Sequence, residues 1–323
     1  MDAIVINSLT KVYGTTLAVD HIDLTIQKGE IMGLLGPNGA GKTTTLMILS
    51  TLLKPTLGTA IVNGFDVLAK PAQVRASIGM VFQDPSSDEL LTAYENLKLH
   101  ALMYDVPMRA IDKKINEVLS LVGLQERQHD KVKTYSGGMR RRMEIARGLL
   151  HEPKVLFLDE PTLGLDPQTR EHIWVYIERL SKDTGMTIVL TTHYMEEAER
   201  LCHRVAIIDN GKIIALDTPA ALCESLGGDM VFINGKNLQP QELAKLPFVR
   251  KIETLDHGLR IAVEDSAKNL QKLLQTAGET EFVTVHLPDL NDVFLHYTGK
   301  GIREAQGSVM EHIRAFSKAR QNN

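Results

Sequence analysis

GPNGAGKT, Gly36–Thr43, is the stretch whose reading decides the fold. Its glycines let consecutive backbone N–H groups turn inward onto an oxyanion that a Cβ would obstruct. Gly36, Pro37, Asn38, Gly39, Ala40 and Gly41 would wrap a phosphate chain, Lys42 would reach its β- and γ-phosphates, and Thr43 would offer its hydroxyl to Mg²⁺, with Thr44 beside it. EIMGLL, Glu30–Leu35, reads as a buried strand running into the loop, and TTTLMILSTLL after it reads as a helix whose positive dipole end faces the phosphates. The bare GxxxxGK[ST] pattern arises by accident on the order of once per hundred chains of this length. The strand before it and the helix after it make it a nucleotide site.

VLFLDEP, Val155–Pro161, supplies the second half of the chemistry. Val155–Leu158 is an apolar run suited to a central parallel strand, so Asp159 and Glu160 emerge at its carboxyl end, where α/β sheets bind ligands. Asp159 would hold Mg²⁺ through water, and Glu160 would take a proton from the attacking water as general base.

With these residues in place, the chain resembles the nucleotide-binding subunit of an ATP-binding cassette (ABC) transporter over roughly residues 2 to 225. Tyr13 in KVYG is similar to the family's adenine-stacking aromatic, and Gln83 in MVFQDP to the Q-loop that senses Mg²⁺ and the membrane partner. Ser136, Gly137 and Gly138 resemble the signature that clamps the γ-phosphate of ATP held by the other protomer. Asp166 in LGLDP resembles the D-loop at the dimer interface, and His193, ending TIVLTTH, the switch histidine that contacts the γ-phosphate. The resemblance therefore implies an ATPase that uses ATP and Mg²⁺, works as a homodimer and drives a separate multi-span permease.

The commonest signature of that family has leucine before SGG and glutamine after it, where this chain has Tyr135 and Met139. The serine and the backbone amides survive, whereas a thioether is a poorer hydrogen-bonding group than an amide. YSGGMRRR, FQDPSSDELLTAYENL and LNDVFLHYTGKGIR together resemble ATPase subunits of daunorubicin-resistance-type exporters, whose relatives move drugs, lipids, polysaccharides or ions. Which cargo moves is read by the membrane subunit.

Composition sets outer limits. No run approaches the roughly 18 apolar residues needed to span a bilayer, and MDAIVINSLTKVYG lacks a basic region followed by an apolar signal core. A cytoplasmic protein, peripheral at the inner face of the cell membrane through its permease, is the expectation. The formal charge of −4 argues against a general nucleic-acid binder. Arg140, Arg141 and Arg142 read as a solvated helix face, and Cys202 and Cys223 as reduced thiols without metal-ligand spacing.

The expected fold class is α/β: a P-loop NTPase of the ABC nucleotide-binding type with an inserted helical subdomain, plus a small α+β C-terminal domain. Pattern changes place the nucleotide-binding domain at 2–226, with the helical subdomain at about 85–150, where AYENLKLHALMYDV and IDKKINEVLSLVGL show helical periodicity. Gly227 and Gly228 mark a boundary. Residues 229–298 then read in βαββαβ order, which suggests a ferredoxin-like accessory domain, and 299–323 form a polar tail in which SVMEHIRAFSKA could make a short helix. The alternative function is a soluble ABC ATPase acting on ribosomes or DNA. Such relatives usually carry two cassettes or long coiled-coil arms, whereas this chain has one phosphate loop and no sustained heptads.

Overall fold

The computed structural model describes residues 2–255 and 258–298. The polar tail, including the expected helix at SVMEHIRAFSKA, lies outside the described residues. The chain divides into two compact units, one reaching Leu216 and one beginning at Asp217.

The first unit opens with the antiparallel strands β1 (Asp2–Tyr13) and β2 (Thr16–Gln27), then β3 (Ile31–Leu35) and helix α1 (Lys42–Leu49). Next come β4 (Leu57–Val62), β5 (Phe65–Asp66), α2 (Pro71–Ser77) and β6 (Ile78–Val81). Three helices follow: α3 (Ala93–Met103), α4 (Met108–Leu121) and α5 (Gly137–Leu149). The unit closes with β7 (Val155–Asp159), α6 (Pro167–Thr184), β8 (Thr187–Thr192), α7 (Met195–Leu201), β9 (Arg204–Asp209) and β10, whose residues are Lys212–Asp217.

Two sheets result. One is antiparallel in the order β2-β1-β4-β5; the other runs β10-β9-β3-β8-β7-β6, with parallel pairing from β9 through β6. Every residue of β3, β7 and β8 is buried, as their near-continuous apolar composition requires of central strands covered on both faces. Ile4, Ile26 and Val62 from the first sheet, Leu46 and Leu49 from α1, and Phe157 and Val189 from the second share one core. Helix α1 ends at Leu49, four residues short of the expected Leu53, because Thr51 takes a left-handed φ of 66° that no helix can continue through. The carboxyl ends of β3, β7 and β8 lie on one edge of the sheet. The loop of Gly36–Gly41, the pair Asp159–Glu160 and His193 therefore leave the sheet together.

The second unit begins with α8 (Pro219–Glu224), which packs against α11 (Leu290–Thr298). The expected Gly227–Gly228 boundary therefore falls inside this unit. Between these helices lie β11 (Asp229–Lys236), α9 (Pro240–Leu243), β12 (Val249–Leu255), β13 (Gly258–Val263), α10 (Ser266–Ala277) and β14, Glu279–His286. The sheet is antiparallel throughout in the order β12-β13-β11-β14. Its core gathers Val231, Ile233, Leu259, Ile261, Val263 and Leu273.

Candidate active site

The phosphate loop is built around a buried lysine. Lys42, 4% exposed, donates from Nζ to the carbonyl oxygens of Gly36 at 2.7 Å and Pro37 at 3.0 Å, so its ammonium is held inside the curve of the loop. Burial pushes its pKa down, against the pull of the Glu160 and Asp159 carboxylates. Two glycines are obligatory for this shape. A Cβ on Gly36 would stand 2.2 Å from the Ile208 carbonyl, and one on Gly41, which has φ 106°, would stand 2.3 Å from the Ala18 carbonyl. Gly41 is also the N-cap of α1, and no side chain caps that helix among the described residues. The first-turn N–H groups of Lys42, Thr43 and Thr44 thus have no intrahelical acceptor and form a donor cluster suited to phosphate oxygens.

Opposite the loop, Asp159 Oδ1 accepts from Thr43 Oγ1 at 3.1 Å and from Thr191 Oγ1 at 2.6 Å. A hydroxyl and a carboxylate meeting at one point are the hard oxygen donors that Mg²⁺ favours. Glu160 follows with φ 45°, a left-handed conformation that a residue with a Cβ rarely adopts, and its N–H is held by Thr191 Oγ1 at 3.0 Å. That turn aims the carboxyl away from the strand line. Glu160 Oε1 lies 3.8 Å from Lys42 Nζ, and Oε2 lies 3.2 Å from Nδ1 of His193. The His193 ring holds the Glu160 carboxyl below the usual carboxylate range despite its burial. Lys42, Thr43, Asp159, Glu160 and His193 therefore converge on one edge of the sheet.

The other sequence-predicted residues stand apart from that group. Ser136 is the exposed N-cap of α5 and its Oγ accepts from Met139 N at 3.3 Å; Gly137 beside it is also exposed. Gly138 is buried, and a Cβ there would meet Thr169 Cγ2 at 2.3 Å. Asp166 is the exposed N-cap of α6, with its carboxyl held low by hydrogen bonds from Thr169. Tyr13 is 44% exposed at the end of β1, its ring under Lys11 Nζ at 5.2 Å. Gln83 lies exposed in the loop after β6 and has no hydrogen bond to Thr43 or Asp159 among the described residues. Tyr135 replaces the usual leucine with a purpose: its ring is buried and its hydroxyl donates to the Arg127 carbonyl at 2.7 Å.

The arginine run is not a solvated face. Arg141 is 8% exposed and donates to the carbonyls of Pro161 at 2.7 Å, Asp159 at 2.8 Å and Phe82 at 2.5 Å, binding the ends of β6 and β7 to α5. Burial pushes its pKa down to about 10. Arg142 donates to the Val122 carbonyl at 2.9 Å, and Arg140 pairs with Glu89. Sequence reasoning also passed over Thr191, although its position two residues before His193 in TTH places it on the same strand end as that histidine. Glu144, one turn beyond Arg141 and 1% exposed, accepts from the backbone N–H and hydroxyl of both Ser86 and Ser87.

The family model described as ABC transporter matches residues 19–163. The linearmycin resistance ATP-binding protein LnrL of Bacillus subtilis is 38% identical over 312 residues, covering 92% of this chain and 98% of that protein. The daunorubicin/doxorubicin resistance ATP-binding protein DrrA of Streptomyces peucetius is 38% identical over 306 residues, covering 92% of each. Among solved structures, a dimeric ATP-binding cassette in a post-hydrolysis state bound to ADP and Pi is similar with a TM-score of 0.61 at 29% identity, covering 67% of this chain and 98% of that one.

Proposed function

The chain belongs to the ABC transporter family as an ATP-binding subunit of the daunorubicin-resistance type, an ATPase coupled to transport, and from that premise we propose that two copies close on two ATP molecules to drive a separate export permease. One observation carries this reading. Lys42, Thr43, Asp159, Glu160 and His193 gather on one sheet edge, while Ser136, Gly137 and Asp166 stay exposed and unengaged with them. Each chain would then offer one half-site and complete another.

In that site Tyr13 stacks on the adenine, the loop of Gly36–Gly41 and the first-turn amides to Thr44 wrap the phosphates, and Lys42 exchanges its loop carbonyls for phosphate oxygens. Thr43 and Asp159 would hold Mg²⁺, with Gln83 approaching from the loop beyond β6; the ion, when bound, neutralises charge on the phosphates. Glu160 accepts the proton of the attacking water, and His193, 3.2 Å away, orients that carboxylate toward the γ-phosphate. Ser136 and the Gly137–Gly138 amides at the N-terminus of α5 clamp the partner's γ-phosphate, and Asp166 runs along the shared interface.

Leu99, Leu102 and Met103 on α3, with Leu90 before it, are exposed apolar residues in the helical region beyond Gln83. We assign them to docking a cytoplasmic helix of the permease, which keeps this subunit cytoplasmic at the inner face of the membrane. Among the described residues no helix is long and apolar enough to cross a membrane. The division 2–226 and 229–298 serves here as the functional one, with the antiparallel sheet of the second unit, ferredoxin-like in its strand order, acting as a regulatory or dimer-stabilising module. The cargo class is a drug, lipid, polysaccharide or ion leaving the cell. Co-purification of the tagged chain from detergent-solubilised native membranes tests this: a multi-span permease should come with it, and recovery with ribosomes or DNA instead would overturn the reading.

A further inference from the structure

Beneath the group just described lies a buried carboxyl that the hydrolytic scheme does not use. Glu197, on α7 four residues after His193, is 0% exposed. Its Oε1 accepts from Thr162 Oγ1 at 2.7 Å and from Trp174 Nε1 at 3.0 Å, while Oε2 is buried without a hydrogen-bond partner. A buried carboxyl oxygen left unpaired is costly, and a surface stretch such as MEEAER could have exposed the side chain instead. What the carboxyl gains is position. Thr162 sits two residues after Glu160 in the same turn, Trp174 belongs to the helix that Asp166 caps, and Glu197 belongs to the helix that His193 leads into.

A second contact joins two of the same three segments, α6 and the segment that carries His193. Arg170 of α6 lies with its guanidinium carbon 4.3 Å from the centroid of the Tyr194 ring, and Tyr194 lies 4.2 Å from the His193 ring. Tyr194 is in turn fixed by its N–H, which donates to Thr192 Oγ1 at 2.9 Å. The histidine is thus backed by a tilted ring in contact with it, and the helix that follows is pinned by Glu197. The 3.2 Å approach of His193 to Glu160 joins the strand end after β8 to the one after β7, and Thr162–Glu197 is a side-chain bond that spans the same two segments.

We propose that Glu197 is a positioning residue for hydrolysis, which fixes His193 against Glu160 by tying α7 to Thr162 and to Trp174 of α6. It touches neither nucleotide nor water and acts through the histidine. Because α6 begins at Asp166, the same carboxyl also ties the switch histidine to the segment assigned to the dimer interface. The inference rests on the assignment of Glu160 and His193 in the proposed function.

The test compares E197L, E197Q and T162V with H193A and E160Q, measuring melting temperature, ATP dissociation constant and single-turnover phosphate release. T162V is isosteric and deletes only one hydroxyl. It should lower kcat on the order of 10-fold, and E197L on the order of 10²-fold, with ATP affinity unchanged, the penalty of misplacing a catalytic group by about 1 Å. E197Q keeps an acceptor oxygen for both donors and should restore most of the rate lost in E197L. In the H193A background T162V should cost nothing further, because both changes remove one function. If E197L does not fold, T162V and its cycle with H193A decide the matter. Wild-type turnover in T162V, or the same fold-loss from T162V with and without His193, overturns the inference. Should E160Q and H193A themselves turn over normally, the site assignment falls and this inference falls with it; impaired E160Q and H193A beside an unimpaired T162V removes the inference alone.

Discussion

Replacing Glu160 by glutamine should separate binding from hydrolysis. The side chain keeps its length and its strained backbone, since φ 45° is as unfavourable for Gln as for Glu, and the bond to Thr191 Oγ1 at 3.0 Å is made by the backbone N–H of residue 160, not by its side chain. Lys42 keeps its two loop carbonyls and Thr43 keeps Asp159 at 3.1 Å, so the nucleotide-binding half is untouched. What disappears is an anionic oxygen, held ionised by His193, that can accept a proton. General-base catalysis contributes about 10²- to 10⁴-fold, or roughly 2.7–5.4 kcal/mol at 1.36 kcal/mol per decade. Single-turnover phosphate release should slow by that factor at unchanged ATP affinity. Two copies should then persist as an ATP-locked dimer in size-exclusion chromatography with light scattering. Near-normal turnover would refute Glu160 as base and shift the organisation of the water to His193.

Other expected outcomes follow from packing. G138A places a methyl 2.3 Å from Thr169 Cγ2 and should cost about 1–3 kcal/mol in denaturant unfolding, whereas the double variant G138A/T169S, which lacks that Cγ2, should recover both stability and turnover. R141M strands the carbonyls of Phe82, Asp159 and Pro161 in a buried site and should cost about 3 kcal/mol or more, far beyond a substitution on an exposed helix face. Burial raises the pKa of Glu197 above the ordinary glutamate value, against the hydrogen bonds of Thr162 and Trp174 and the charge of Arg170. Below that value folded and unfolded chains both carry the proton; above it the unfolded chain ionises first. Melting temperature relative to E197Q should therefore fall as pH rises above 4.5 and level off once the folded carboxyl ionises.

The strands that position the site are legible because β3, β7 and β8 hold the apolar runs IMGLL, VLFL and IVL, each followed within three residues by chemistry-bearing ones. In the second unit buried residues alternate along β11, and apolar residues recur at helical spacing in α10. The antiparallel sheet is harder to read: β1 pairs with β4 across some fifty residues, and no local pattern announces that partner. Arg141 is misread because a run of three arginines resembles a solvated face. Yet Gly138, Arg141, Ile145 and Gly148 follow one another at spacings of three and four, and all four are buried. The helical period continues through the charge. Glu197 hides in the same way among the acidic residues of MEEAER, since only burial distinguishes it from Glu196.

Arg141 and Glu144 together tie α5 to the loop that holds Gln83. Arg141 grips the Phe82 carbonyl just before that residue, and Glu144 grips Ser86 and Ser87 just after it. Both side chains stand on α5, whose N-terminus presents Ser136 and the glycine amides. The Gln83 loop is therefore held on both sides by one helix, whose N-terminal amides are those proposed to meet the partner's nucleotide. Arg141 also holds the Asp159 and Pro161 carbonyls on either side of Glu160. Under the proposed function, a permease docked beside Gln83 would then act on the partner's ATP through α5 and on its own chain's base through Arg141.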